Sequence, residues 1–83
     1  MMDKNEIYQE ITGLLIKLFD LKVDDIKPES RLYEDLELDS IDAVDMVVHL
    51  QKRIGRKISA ETFKSVRTVQ DVVDAVESLI NEG

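Results

Sequence analysis

The sequence predicts an all-helical fold, and three observations carry the prediction. Apolar residues recur at helical spacing in three separate stretches. The only breakers are Pro28 and the glycines Gly13, Gly55 and Gly83, and no strand-like alternation runs beyond a few residues. At 83 residues, 43% apolar and 35% charged, residues 1–83 read as a single small domain of the soluble globular class. A chain of this size buries only about 60–65% of its unfolded surface, so its core must be locally connected and a large internal cleft is excluded.

In the first helix, Ile7, Ile11, Leu14, Leu15 and Leu18 share one face of a segment from Lys4 to Phe19. Between Asp20 and Leu38 the pattern is irregular. Pro28 disfavours helix at Lys27, and the isolated apolar residues Val23, Ile26, Leu32, Leu36 and Leu38 are expected to pin a long loop. Asp39, followed three residues later by Asp42, marks the start of a second helix that runs to Ile54 and stops at Gly55. Ile58 to Val66 holds a turn or two of helix around Glu61, Phe63 and Lys64. Thr68 then caps a last helix with the stripe Val69, Val72, Val73, Val76, Leu79 and Ile80, ending near Gly83.

The second helix is apolar over too much of its circumference. At about 100° per residue, Ile41, Ala43, Val44, Met46, Val47, Val48, Leu50 and Ile54 cover roughly 220°, about twice what a surface helix buries. Two readings follow: a central helix packed on two sides, or a helix whose edge residues Ile41, Val44 and Val48, beside Asp45, stay exposed as a docking stripe.

Charge and composition exclude several function classes. A net charge of −7 opposes binding to nucleic acid or to an anionic membrane surface. With no cysteine there is no disulfide framework, thiolate nucleophile or cysteine-based zinc site. The N-terminus lacks the basic flank and apolar stretch of a signal peptide, which points to a cytoplasmic protein without membrane insertion. A serine hydrolase is excluded by geometry, because the single histidine, His49, lies nine residues after Ser40 and half a turn off in direction. A calcium loop over Asp35, Glu37 and Asp39 fails twice, with Ser40 at its sixth position and Met46 at its twelfth.

Ser40 stands where the positive end of the second helix favours a phosphate on its hydroxyl, although a serine at such a place is ordinarily a cap. The run Asp35-Leu36-Glu37-Leu38-Asp39-Ser40-Ile41-Asp42 resembles the modification motif of acyl carrier proteins, Asp-Leu-Gly-x-Asp-Ser-Leu-Asp. The resemblance extends to the order of helices and to Thr68-Val69-Gln70-Asp71 at the start of the last one. It implies a four-helix bundle with a long first loop and a short third helix. Ser40 would carry 4′-phosphopantetheine, transferred from coenzyme A by a separate magnesium-dependent phosphopantetheinyl transferase. The chain would then be no enzyme but a monomeric shuttle for acyl thioesters in fatty acid, polyketide or related lipid biosynthesis.

The same resemblance implies that Asp39 helps the transferase hold its metal. Ile41, Asp42, Val44, Asp45 and Val48 would face acyl-activating, condensing and acyltransferase-type enzymes. An acyl tunnel would be lined by Met46, Val47, Leu50, Phe63 and Val73. Asp before the serine favours an acyl carrier over a peptidyl or aminoacyl carrier, which often reads Gly-Gly-x-Ser. An unmodified helical interaction adaptor is the reading from another class.

Two departures stand out. Glu37 occupies a position where glycine is common, which is tolerated if the backbone there needs no positive φ. The charges also separate along the chain: residues 1–48 carry net −8, residues 49–67 net +5, and the remainder net −4. Lys52, Arg53, Arg56, Lys57, Lys64 and Arg67 form the basic stretch, either a solvated face or, with Lys52 and Arg53 on the partner-binding surface, the mark of a carrier specialised for a dedicated pathway rather than general fatty-acid synthesis.

Overall fold

The computed structural model describes residues 3–81. α1 spans Lys4–Phe19, α2 Ser40–Ile54, α3 Ala60–Lys64 and α4 Val69–Asn81, so the order and the ends of the helices follow the apolar stripes and caps. The carboxylate of Asp3 accepts the Glu6 N–H at the start of α1, and Asp20 ends it in the left-handed region at φ 56°, its N–H donating to the Ile16 carbonyl. Gly55 closes α2 at φ 68°, a conformation that costs glycine little. Ser59 caps the short α3 by accepting the Thr62 N–H. Residues 82 and 83, and with them the expected end near Gly83, lie outside the described part.

α1 packs against α4 and α2, and α3 packs against α4. The fully buried side chains Ile7, Ile11, Leu15, Met46, Leu50, Val69, Val73 and Val76 come from the three long helices, and Leu32 joins them from the loop. No helix among the described residues is long and apolar enough to cross a membrane.

The loop between α1 and α2 is held in place by main-chain bonds as well as apolar anchors. Pro28 and Ser30 carbonyls accept the N–H groups of Gln70 and Val69 at the start of α4, at 2.9 and 3.0 Å, and the Leu32 N–H donates to the Arg67 carbonyl at 2.9 Å. The first two contacts satisfy donors that a helix start leaves without partners. Ile26, Leu32, Leu36 and Leu38 are buried as expected. Val23 is not an anchor: it sits 62% exposed in a 3₁₀ turn, Val23–Asp25. An isolated apolar residue has no periodic neighbour to fix its direction, and this turn presents Ile26 to the core instead.

Glu37 also departs from expectation. Its φ is 59°, in the left-handed region, so the condition for easy tolerance of a side chain there does not hold. The backbone bends here so that both Leu36 and Leu38 enter the core, with the Leu38 N–H reaching the Leu32 carbonyl at 3.0 Å. That conformation costs a residue with a Cβ about 1–2 kcal/mol.

Candidate functional site

The approach to α2 is built by Asp35. Its carboxylate accepts from the Arg31 main-chain N–H at 2.8 Å and from the Arg31 guanidinium at 3.2 Å. The guanidinium bond, then the main-chain N–H, holds the Asp35 carboxyl below the usual carboxylate range. The first residue of the motif therefore shapes the loop that delivers Asp39 and Ser40.

At the helix start the cap is Asp39, not the serine. Asp39 Oδ1 accepts the Asp42 N–H at 2.8 Å, and Asp42 Oδ2 accepts the Asp39 N–H at 3.3 Å, a reciprocal box. Ser40 is the first helical residue and is exposed. Because two carboxylates complete the cap, the serine hydroxyl is left out of it. Among the described residues, no carbonyl accepts the N–H groups of Ser40 or Ile41. An exposed hydroxyl beside open N–H groups at a helix's positive end is a suitable seat for a phosphodiester.

The outer face of α2 resolves the two readings of its wide apolar arc. Ala43, Met46 and Leu50 are buried, whereas Ile41, Val44 and Val48 are 77%, 62% and 40% exposed. Asp45 is exposed beside them and Asp42 is half-buried. His49 turns its Nδ1–H to the Asp45 carbonyl at 2.9 Å, one turn back on the same helix.

Between α2 and α3 runs an open, largely apolar groove of about 390 Å³ that begins at Ser40. Val47 and Phe63, two of the residues expected to line an acyl tunnel, line this groove together with Tyr33, Ala43, Val44, Ile58 and Lys64. Met46, Leu50 and Val73 do not; they point into the sealed core. Helical periodicity identifies apolar residues but not which of two adjoining apolar faces a neighbouring helix covers. Tyr33, in the loop, had no periodic signal at all.

The basic stretch divides. Arg53 reaches across to α1, its guanidinium 2.6 Å from a Glu10 carboxylate oxygen. Lys52, its neighbour in sequence, is exposed on the side of α2 that carries Val48, and enters no ion pair among the described residues. Lys64 stands at the rim of the groove.

A family model described as "Phosphopantetheine attachment site" matches residues 9–76. The chain is 47% identical over 79 residues to acyl carrier protein 2 of Ralstonia nicotianae, covering 95% of this chain and 98% of that one. It is 36% identical to the acyl carrier protein of Coprothermobacter proteolyticus, over 93% and 94% of the two chains. Among solved structures, the acyl carrier protein of Enterococcus faecalis superposes with a TM-score of 0.78 at 28% identity, covering 94% of this chain and 99% of that one.

Proposed function

Because this chain belongs to the acyl carrier proteins, carriers rather than enzymes, we propose that Ser40 is the residue to which its covalent 4′-phosphopantetheine is attached. The observation that carries the assignment is the exposed Ser40 hydroxyl, excluded from the Asp39–Asp42 box and set beside two open N–H groups. A phosphodiester on that oxygen gains from the helix's positive end without displacing any bond the fold uses. When attached, the arm supplies a terminal thiol on which acyl groups travel as thioesters.

The other roles belong to the chain's own residues. Asp39, exposed and using Oδ1 for the cap, stands next to the acceptor hydroxyl and assists the transferase's metal. Ile41, Val44 and Val48 give partner enzymes an apolar footing, with Asp42 and Asp45 beside it as acidic contacts. The groove lined by Val47 and Phe63 shelters part of an acyl chain entering from the serine end. Residues 1–83 act as one carrier domain. In this reading the cargo serves fatty acid, polyketide or related lipid biosynthesis in the cytoplasm, where coenzyme A donates the arm.

The test is intact-mass measurement after incubation with coenzyme A, magnesium and a broad-specificity phosphopantetheinyl transferase. The unsubstituted chain gains the mass of one arm and Ser40→Ala gains none. Labelling of Ser40→Ala, or no gain on the unsubstituted chain, overturns the assignment.

A further inference from the structure

We infer that Lys52 makes the partner-facing side of α2 proposed above a bipolar strip, acidic toward the serine end and cationic at its far end, and so sets the direction in which a partner engages it. The strip fits an acyl-processing enzyme with a basic group beside its entrance and a carboxylate about 10 Å further along. The inference rests on Ser40 being the loading point, as proposed above.

Helix geometry makes the strip. At about 100° per residue, Asp45, Val48 and Lys52 all fall within about 40° of the direction of Ile41. Read from the serine end, the face runs Ile41, Asp45, Val48, Lys52, and Ile41, Val48 and their neighbour Val44 are already exposed. Seven residues separate Asp45 from Lys52, a rise of about 10 Å. That is close to one screening length at physiological salt, so each charge is read locally rather than averaged into the chain's net charge.

Arg53 lies about 100° further round the helix than Lys52, on the side facing α1, where Glu10 neutralises it. Of the two adjacent cations, only Lys52 can meet a partner along the strip without first breaking an ion pair within the bundle. A strip of one sign could be engaged in either direction along the helix. A strip with opposite ends favours one direction, and that direction brings Ser40 to the enzyme's entrance.

The absence of cysteine allows a test that does not depend on the arm. Ser40→Cys provides a single thiol, which a bis-maleimide spacer of pantetheine length can join to the active-site cysteine of each condensing enzyme encoded in the same genome. Charge reversal, Lys52→Glu, should slow trapping by about tenfold with at least one of these enzymes, with the loss shrinking as salt is raised. Replacing that enzyme's facing carboxylate with lysine should restore the rate, while Arg53→Gln should stay within about twofold. The inference is overturned if Lys52→Glu traps as fast as its parent with every enzyme. It is also overturned if Lys52→Glu and Arg53→Gln fall together, or if no enzyme is trapped. The arm-transfer test on the unsubstituted chain decides the Ser40 assignment separately, so a failure of the strip is distinguished from a failure of the assignment it rests on.

Discussion

α2 and α4 start alike and end in different roles. Each opens on a reciprocal box, Asp39 with Asp42 and Thr68 with Asp71, and each carries a wide set of apolar residues. α4 buries Val69, Val72, Val73 and Val76, and its first N–H groups are taken by the Ser30 and Pro28 carbonyls. α2 buries Ala43, Met46 and Leu50, exposes Ile41, Val44 and Val48, and, among the described residues, leaves the N–H groups of Ser40 and Ile41 without a carbonyl partner. Apolar content alone thus does not make a core helix. The surplus beyond what the bundle can cover stays exposed, and in the reading proposed above it is the surface that meets partner enzymes.

The largest effect that could break this comparison is on stability. Met46→Ala removes a fully buried side chain and should cost about 2–5 kcal/mol, read as the shift of the urea midpoint. Ile41→Ala and Val44→Ala on the opposite face should stay within about 0.5 kcal/mol. Were Ile41→Ala to cost as much as Met46→Ala, the outer stripe would be core and α2 would be a second α4.

Next come the caps. Asp39→Ala and Thr68→Ala should each lower stability by about 1 kcal/mol, since each removes the acceptor for one N–H near a helix start. Their effects on arm transfer should separate: Asp39→Ala slows the transferase, whereas Thr68→Ala leaves its rate unchanged when assayed well below the unfolding temperature. Equal slowing by both would reduce Asp39 to a purely structural cap.

A smaller effect, of opposite sign, is expected just before α2. Glu37→Gly relieves a left-handed backbone at φ 59° and should raise stability by about 0.5–1 kcal/mol, less than the full strain because glycine also loosens the unfolded chain. Glu37→Ala should give no such gain. A stabilisation by alanine equal to that by glycine would assign the effect to removal of the carboxylate.

These variants also mark where the sequence was informative. The bounds of α1 and α2 and the start of α4 follow from period and caps, because burial of one helix face writes a 3.6-residue repeat into the chain. The position of Ser40 was equally plain, given the motif around it. The wide apolar arc of α2 announced itself too, but not which half of it stays open, since that depends on where α1 and α3 lie. Val23 misled because an apolar residue without periodic partners has no assigned direction. The ties from Pro28 and Ser30 to α4 had no signature, being main-chain bonds that any residue can make. The pairing of Arg53 with Glu10 was hidden by sequence distance, so two adjacent cations looked equivalent until the fold separated them.

The last contrast concerns the two boxes. Asp71 accepts from two main-chain N–H groups, Arg67 at 3.0 Å and Thr68 at 3.1 Å, while Asp42 accepts from Asp39 alone at 3.3 Å. The Arg67 N–H, then the Thr68 N–H, holds the Asp71 carboxyl below its ordinary range. A carboxyl depressed in the folded state contributes stability that is fully present above its unfolded value, about 3.9. That contribution is lost as pH falls through the lower folded value, because the unfolded chain then binds the proton first. Asp71→Asn should therefore lower the thermal midpoint most near neutral pH, with the gap to the parent closing below about pH 4 as the parent's carboxyl is protonated. Thermal unfolding followed by circular dichroism from neutral pH down to about pH 3 measures that gap. A gap that stays constant across the range would mean that the start of α4 is held by the shape of its box and not by the charge of Asp71.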